Sequence, residues 1–383
     1  MRIAYIGDFI NHGDILSTSG TPIVFLLARL PEVEEVDVYC PLENKKTEPI
    51  EIPDKIKVIA TYKYGNFHSV AKLIRLDFRK YDKIIFNLLP GAYGNSTLTN
   101  LIGLFLPVIL AKIRRIKGVE IVYHNSVYTT DFRKIGWSST ADGVKIVALK
   151  LIEWIMFRSV KSFVLLRIYQ ERIRESIPNS KVFFLNGRYL EAITTIIQNG
   201  KYESETYVTN GGTEVPVVLL HGSWSPQKNL GMALEALSDL RKNGVQFTLI
   251  ISGSLNSSFP LYKTEFESLM TRHSEIINQY LGRVEEKELF NLFGTSDLII
   301  LPYNSPGGHS GVIETGSFFE NKIIAIDFPE FEEQATGNSM ITLVNPEELE
   351  GSIARALRSE FGPRTIAVRA KIDEVQKNIT ELL

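Results

Sequence analysis

One stretch of this 383-residue sequence puts residue types that can do chemistry at a spacing that could bring them together. Residues 280–327 read as strand, helix, strand, glycine-rich loop, helix and strand. The loop Asn304-Ser-Pro-Gly-Gly-His-Ser310 lies between the apolar run 298–301 and a helix that opens near Gly311. A helix start presents N–H groups without intrahelical partners and a partial positive charge, so it suits an anion such as a phosphate. Glu314 follows one turn into that helix, where its carboxylate could accept hydrogen bonds from ribose hydroxyls while the helix start holds phosphates. His309 stands in the loop itself and could touch a phosphate or a sugar.

These groups converge only if the surrounding chain is an open α/β sheet, whose strand ends face a ligand crevice. The pattern supports this. Residues 2–7 read as a buried first strand, 8–19 as a polar loop, and Gly20-Thr21-Pro22 starts a helix through Leu30. Strands follow at 36–39 and 56–60, a helix at 67–79, a strand at 83–87 and a helix at 97–116 that Pro107 should kink. A strand at 119–123 stops at His124-Asn125. Then come a helix at 141–157, a strand at 162–166, a helix at 169–176 and a strand at 181–185. Strands alternating with helices at this spacing imply a parallel sheet.

Residues 200–213, polar and glycine-containing, read as an exposed hairpin or linker, and a second series begins at Val215. It comprises a strand at 215–221, a helix reaching Leu240, a strand at 247–252, a helix near 262–273 and the 280–327 stretch, with terminal helices at 347–358 and 363–383. The expectation is two Rossmann-like, doubly wound domains facing a central cleft: 1–187, 188–362, and a last segment, 363–383, that could cross back to the first domain.

Composition agrees with this. At 44% hydrophobic and 22% charged, the chain is ordinary globular material, and it exceeds the ~250–300 residues at which single cores stop growing. A net charge of −2 offers no global basic field for nucleic acid. The single cysteine, Cys40, excludes an internal disulfide framework and any cysteine zinc cluster. The N-terminus opens directly on a strand without a cleavable signal, which predicts a cytoplasmic location. No run reaches the ~18–20 apolar residues that span a bilayer. The nearest, 101–111 and 143–166, carry lysines and arginines and could lie on an anionic membrane surface or pack as ordinary Rossmann helices.

The order Gly222…Lys228, Ser252-Gly253-Ser254, Tyr280-Leu-Gly-Arg-Val284, Ser296-Asp297-Leu-Ile-Ile-Leu-Pro302 and Glu314 resembles the donor domain of the retaining, group 1 (family 4) glycosyltransferases of GT-B fold. The glycine at Gly20, the strand-end His124 and Lys181-Val-Phe-Phe-Leu-Asn-Gly187 resemble that family's acceptor domain and crossover. There are departures. Ser223 stands where the family commonly has arginine, and Pro306 where it commonly has the first glutamate of a Glu, seven residues, Glu pattern. Ser310-Gly311-Val312 instead matches the variant in which Ser-Gly-Val opens the helix before a lone glutamate.

The resemblance implies transfer of a sugar, with retention, from a nucleotide-diphosphate donor to a glycan or lipid-linked acceptor. Lys228 would be the cation facing the phosphates, together with the helix start at Ser310, Gly311 and Val312 and the Gly20-Thr21 loop. Gly222, Ser223 and Gly253 would floor the donor site, Arg283 and Val284 would line the nucleobase side, and His124 would orient the sugar. His221 reads as structural, and His12 could be an acceptor contact. No Asp-x-Asp pair exists and the histidines are scattered, so neither a metal nor another cofactor is expected. Two rival readings remain open: a sugar-nucleotide epimerase on the same architecture, and a degenerate sugar-binding or partner subunit.

Overall fold

The computed structural model describes residues 1–7, 20–42, 52–88, 93, 97–130, 140–201, 204–209, 215–256, 259–306 and 308–383. The predicted first loop with His12, residues 210–213 of the predicted linker, and Gly307 lie outside them. Short apolar runs such as Ile3-Ala-Tyr-Ile6 and Leu298-Ile-Ile-Leu301 are buried along their whole length, as strands of a parallel sheet covered on both faces must be. The chain divides into two units, one of residues up to Leu190 together with Asp373–Leu383, the other of Glu191–Ile372.

The first unit begins with β1 (Arg2–Ile6), α1 (Gly20–Arg29), β2 (Glu35–Pro41), β3 (Ile56–Tyr62), α2 (Phe67–Lys72) and β4 (Lys83–Leu88). It continues with α3 (Thr97–Val108), β5 (Val119–Tyr123), α4 (Thr140–Ser159), β6 (Lys161–Val164), α5 (Arg167–Ser176) and β7 (Val182–Phe184). Its seven strands lie in the order β3-β2-β1-β4-β5-β6-β7, every pairing parallel. Ile6, Phe86, Tyr123, Phe157 and Ile173 belong to its core.

The second unit carries α6 (Leu190–Gln198), β8 (Tyr207–Val208), β9 (Val217–His221), α7 (Leu230–Lys242), β10 (Thr248–Ser252), α8 (Tyr262–Arg272) and β11 (Ile277–Tyr280). Next come α9 (Glu286–Thr295), β12 (Leu298–Leu301), α10 (Gly311–Phe318), β13 (Lys322–Ile326), α11 (Pro329–Ala335) and β14 (Ile341–Val344). The chain ends with α12 (Leu349–Leu357), β15 (Thr365–Ile366) and α13 (Val368–Ile379). The six-stranded parallel sheet has the order β11-β10-β9-β12-β13-β14, and Leu220, Trp224, Leu234, Phe247 and Ile300 lie in its core.

Several readings of the sequence need correction. The helix expected at 67–79 stops at Lys72 and passes through one 3-10 turn, Leu73–Arg75, into extended Leu76. Helix α6 has no counterpart in the expectation, because its β-branched Ile193, Thr194, Thr195, Ile196 and Ile197 disfavour helix locally; burial of all five overrides that preference. The presumed exposed linker is clamped. Tyr207–Val208 pairs antiparallel with Thr365–Ile366, and the Tyr207 ring packs edge-on against Phe290 at 4.7 Å. The last helix therefore begins at Val368 rather than at Pro363. Elements α11 and β14 were also not foreseen.

The kink at Pro107 takes a definite form. Proline has no N–H for the carbonyl four residues back, and the α-helix gives way at Val108 to a π-helical turn, Ile109–Ile113. No helix among the described residues is long and apolar enough to cross a membrane.

One buried amide links strand and helix in the second unit. Asn321 is fully buried and donates from Nδ2 to the carbonyls of Phe293 at 3.0 Å and Ser296 at 2.6 Å, at the end of α9. Asn321→Leu takes the side-chain donor from the Phe293 carbonyl and leaves the Ser296 carbonyl with Arg364 Nη2 at 2.9 Å, and one buried carbonyl that loses its donor costs about 1–3 kcal/mol. Urea unfolding should show a loss of about 1–3 kcal/mol, read as a lower midpoint at constant slope. Lys263→Ala, which removes an exposed ion pair to Glu267, should stay within about 0.5 kcal/mol of the parent.

Candidate functional site

The second sheet reverses its strand order at β9 and β12. From β9 the chain runs outward through β10 to β11, and on the other flank through β12 to β13 and β14. Connections leaving the two central carboxyl ends therefore diverge, which is where open α/β sheets bind ligands. The loops after β9 and β12 carry most of the sequence-predicted donor-site residues.

After His221, Gly222 and partly buried Ser223, the buried Trp224 anchors the first loop. Its Nε1 donates to the Ser252 carbonyl at 3.1 Å and its backbone N–H to the Ser254 carbonyl at 2.8 Å. A 3-10 turn, Pro226–Lys228, then ends at Asn229, whose φ of 47° and ψ of 49° lie in the left-handed region that asparagine tolerates. This turn is tied to the loop after β12. Asn304 donates its backbone N–H to the Gln227 carbonyl at 2.8 Å and accepts from Asn229 Nδ2 at 2.9 Å.

These bonds fix Lys228 so that its ammonium lies 3.7 Å from the centre of the buried Tyr303 ring. Such a cation–π contact contributes about 0.5–2 kcal/mol. Lys228 also shapes its neighbour. Burial, reinforced by the Lys228 charge, pushes His221 down to about 4, so its imidazole stays neutral, with Nδ1 2.8 Å from Ser252 Oγ.

The carboxyl ends of β9 and β10 approach unusually closely. Gly253 has φ of +102°, and a Cβ there would stand 1.9 Å from the Gly222 carbonyl oxygen. Its N–H donates to the Gly282 carbonyl at 2.5 Å, which draws in the segment after β11 containing Arg283, exposed, and Val284, partly buried. Lys228, Gly222, Ser223, Gly253, Arg283 and Val284 thus all come after carboxyl ends of this one sheet.

At the start of α10 the outcome is more specific than the sequence suggested. Ser310 caps the helix, its Oγ accepting from the Ile313 N–H at 3.4 Å. Its own N–H donates to Gln334 Oε1 at 3.1 Å and its carbonyl accepts from Gln334 Nε2 at 3.3 Å. Ser310 is thereby engaged within the protein, and Gly311 and Val312 form the outer rim of the helix start. Against Gly311 rests the carboxylate of Glu191 from α6, with Oε2 1.4 Å from where a Cβ would stand. The helix start does receive an anion, and here it is one from the chain itself.

His309 and Glu314 are both buried, and His309 Nε2 lies 3.0 Å from Glu314 Oε1. Burial pushes the His309 imidazolium down, but the charge of Glu314, the hydrogen bond to it and the charges of Glu191 and Glu333 raise the pKa above the ordinary value. Among the described residues, Glu314 Oε2 and His309 Nδ1 have no hydrogen-bond partner, and both are buried. A buried carboxylate oxygen without a donor is an expensive group, and it suits a hydroxyl brought by a ligand.

The remaining predicted residues belong to the first unit. Gly20 and Thr21 are the first two residues of α1 and are buried there, not exposed in a loop. His124 comes directly after β5, with its Nε2 2.6 Å from Asn87 Oδ1. The loop it starts is held by Glu153 of α4, which accepts from the Tyr123 hydroxyl at 2.8 Å, the Ser126 hydroxyl at 2.5 Å and the Val127 N–H at 3.1 Å. Burial pushes Glu153 up to about 7 against the opposing effect of those hydrogen bonds. Sequence reasoning missed Glu153, Glu191, Tyr303 and Gln334. A lone acid inside the apolar run Leu151-Ile-Glu-Trp-Ile155 was a usable signal for Glu153; nothing local marked the other three.

No protein-family model matches this sequence, and no curated protein matches it. Solved structures do resemble it. Sucrose-phosphate synthase from Thermosynechococcus elongatus is 14% identical, with 100% of this chain and 94% of that one covered at a TM-score of 0.63. Anabaena HepE, solved in complex with UDP-glucose, is 15% identical, with coverages of 100% and 98% and a TM-score of 0.62. WaaG, a glycosyltransferase involved in lipopolysaccharide biosynthesis, is 14% identical, with coverages of 99% and 95% and a TM-score of 0.59. The chain has the GT-B fold, with a Rossmann-like parallel sheet in each unit.

This geometry has two measurable outcomes. NMR titration should show the His309 imidazole losing its proton above the usual histidine range, and both Glu314→Gln and Glu191→Gln should lower that pKa. Because the folded-state pKa is raised, the stabilisation is complete below the unfolded value and is lost as pH rises through the folded one. Gly253→Ala should cost at least about 2 kcal/mol, measured as a fall in Tm, since both φ and the Gly222 carbonyl oppose a side chain.

Proposed function

We propose that this protein is a retaining glycosyltransferase that moves a sugar from a nucleotide-diphosphate-sugar donor to a glycan or lipid-linked acceptor, the latter of which would bring it to a membrane surface. The observation that carries this reading is the presence, after the two central strands of one sheet, of a fixed ammonium and of a buried carboxylate with one oxygen unpartnered among the described residues. An ammonium suits a diphosphate, and the carboxylate oxygen suits a ribose hydroxyl. The likeness to HepE, solved with UDP and with UDP-glucose, supports a nucleotide-sugar donor.

In this reading the diphosphate meets Lys228 and the rim of α10 at Gly311 and Val312. The ribose hydroxyls donate to Glu314, Gly222, Ser223 and Gly253 floor the site, and the main chain at Arg283 and Val284 borders the base. His124, Gly20 and Thr21 are contacts on the acceptor side. As the bond from the anomeric carbon to the phosphate oxygen breaks, its electron pair moves onto the phosphate, and Lys228 meets that charge, with His309, whose pKa the Glu314 carboxylate raises, beside it. The acceptor hydroxyl attacks the same face of the sugar, and its proton passes to the departing phosphate. Positioning therefore does more than any nucleophilic side chain. The cations needed for the leaving group come from the chain itself, so the reading needs no metal and no further cofactor.

A second reading, a subunit that binds sugar without turnover, is favoured by Glu191 at the helix start together with Ser223 and Pro306. Glu191 and Ser223 reduce the positive charge available to a leaving diphosphate, and Pro306 takes away a carboxylate that would meet the sugar.

A thermal-shift screen of nucleotide sugars tests the donor site, since a ligand at a hundred times its Kd adds about 2.7 kcal/mol. At least one uridine or other nucleoside diphosphate sugar should raise Tm, and Glu314→Ala should abolish that rise. Transfer or hydrolysis of the active donor should fall about 10²–10³-fold in Lys228→Ala, as expected for loss of one charge-stabilising group. Ligand binding with no turnover in the parent protein would select the subunit reading, and no shift with any nucleotide would remove both.

A further inference from the structure

Helix α4 has one buried face and one bare face. Inward it sends Ile152, Glu153, Met156 and Phe157. Outward, Val144 (68% exposed), Val147 (68%), Leu151 (59%) and Trp154 (40%) succeed one another at steps of three, four and three residues. At this spacing they form a continuous stripe about 15 Å long. Arg158, the next step along, lies with its guanidinium 4.7 Å from the Trp154 ring centre. Single exposed apolar residues are ordinary on a protein surface, whereas a contiguous stripe marks an interaction site.

The flanking charges choose the partner. Lys145, Lys150 and Arg158 are exposed, and the two carboxylates of α4 are Asp142, in its first turn, and Glu153, which is buried. In a chain of net charge −2 this is a local excess of positive charge. The three-four spacing would suit a helix from a second copy, but that copy would set the same exposed Lys150 and Arg158 against these. An anionic lipid surface satisfies both halves of the pattern. Apolar side chains on a helix crest enter the boundary between head groups and acyl chains, tryptophan favours that boundary, and long basic side chains reach the phosphates.

The structure also narrows the two candidate runs of the sequence. In the 101–111 run Leu104, Leu106 and Leu110 are buried in the core, so that run does not supply the surface. Helix α3 packs beside α4, and only the end of its π-helical extension adds to the exposed apolar area, through Ile113 at 73% exposure between the exposed Lys112 and partly buried Arg114.

We propose that the outward stripe of α4 is a docking surface for an anionic membrane. This inference stands apart from sugar transfer, because it rests on a surface of the first unit and its readout needs no donor.

The test is co-sedimentation of the full chain with vesicles of phosphatidylcholine alone and of phosphatidylcholine mixed with phosphatidylglycerol. Binding is expected to the anionic vesicles only, weakening as salt is raised, and falling at least tenfold in Val147→Glu/Leu151→Glu and in Lys150→Glu/Arg158→Glu. Both pairs are surface changes, so an unchanged Tm verifies folding. In a Trp137→Phe background, vesicles should also shift the tryptophan emission to shorter wavelength, an effect absent from Trp137→Phe/Trp154→Phe because the remaining Trp224 is already buried. No sedimentation with anionic vesicles, or sedimentation that ignores both pairs, overturns the proposal. Self-association of the parent that Val147→Glu/Leu151→Glu abolishes overturns it in favour of a second copy, and retention of the emission shift in Trp137→Phe/Trp154→Phe overturns it as well.

Discussion

A parallel strand ends with peptide groups that its neighbours do not pair, and where adjacent strands send their connections to opposite flanks those ends stay open. In the second unit this occurs between β9 and β12, and the candidate site depends on it. Everything placed there is short-tethered. Trp224 pins the loop after β9, Asn304 ties the loop after β12 to the turn at Pro226–Lys228, and Gly253 lets two strand ends come within contact of each other. An ammonium on a long flexible stem becomes a fixed charge because Tyr303 lies beneath it.

Charge balance at the start of α10 arises from the same crowding. A helix start attracts anions, and two carboxylates approach it from different parts of the chain, Glu314 from within the helix and Glu191 from α6. Both carboxylates raise the pKa of His309, which is drawn toward its protonated form. Gly311 is the steric condition, since any side chain there would occupy the position of the Glu191 carboxylate.

The first unit uses a buried acid differently. Glu153 gathers two hydroxyls and a backbone N–H to hold the loop that His124 begins, and its burial pushes the carboxyl up to about 7. The helix that supplies it therefore has two roles on opposite faces. Inward it organises a loop, and outward it shows an apolar stripe with basic flanks that no core residue covers.

The sequence by itself determined both Rossmann-like sheets, because buried parallel strands need unbroken apolar runs and their helices need a 3.6-residue period, patterns visible within about ten residues. It also determined the glycine-rich loop, the helix start and Glu314 as neighbours, since these succeed one another along the chain. What it could not determine were contacts made by residues far apart. Glu191 meets Gly311 across more than a hundred residues, Tyr207 finds its strand partner at Ile366, and Tyr303 comes under Lys228 only once β9 and β12 are adjacent. Helix α6 belongs here too, because its β-branched residues become helical only when buried. Local preference is written in neighbouring residues, whereas burial, charge pairing and close backbone approach exist only after the chain has folded back on itself, so only the tertiary structure decided them.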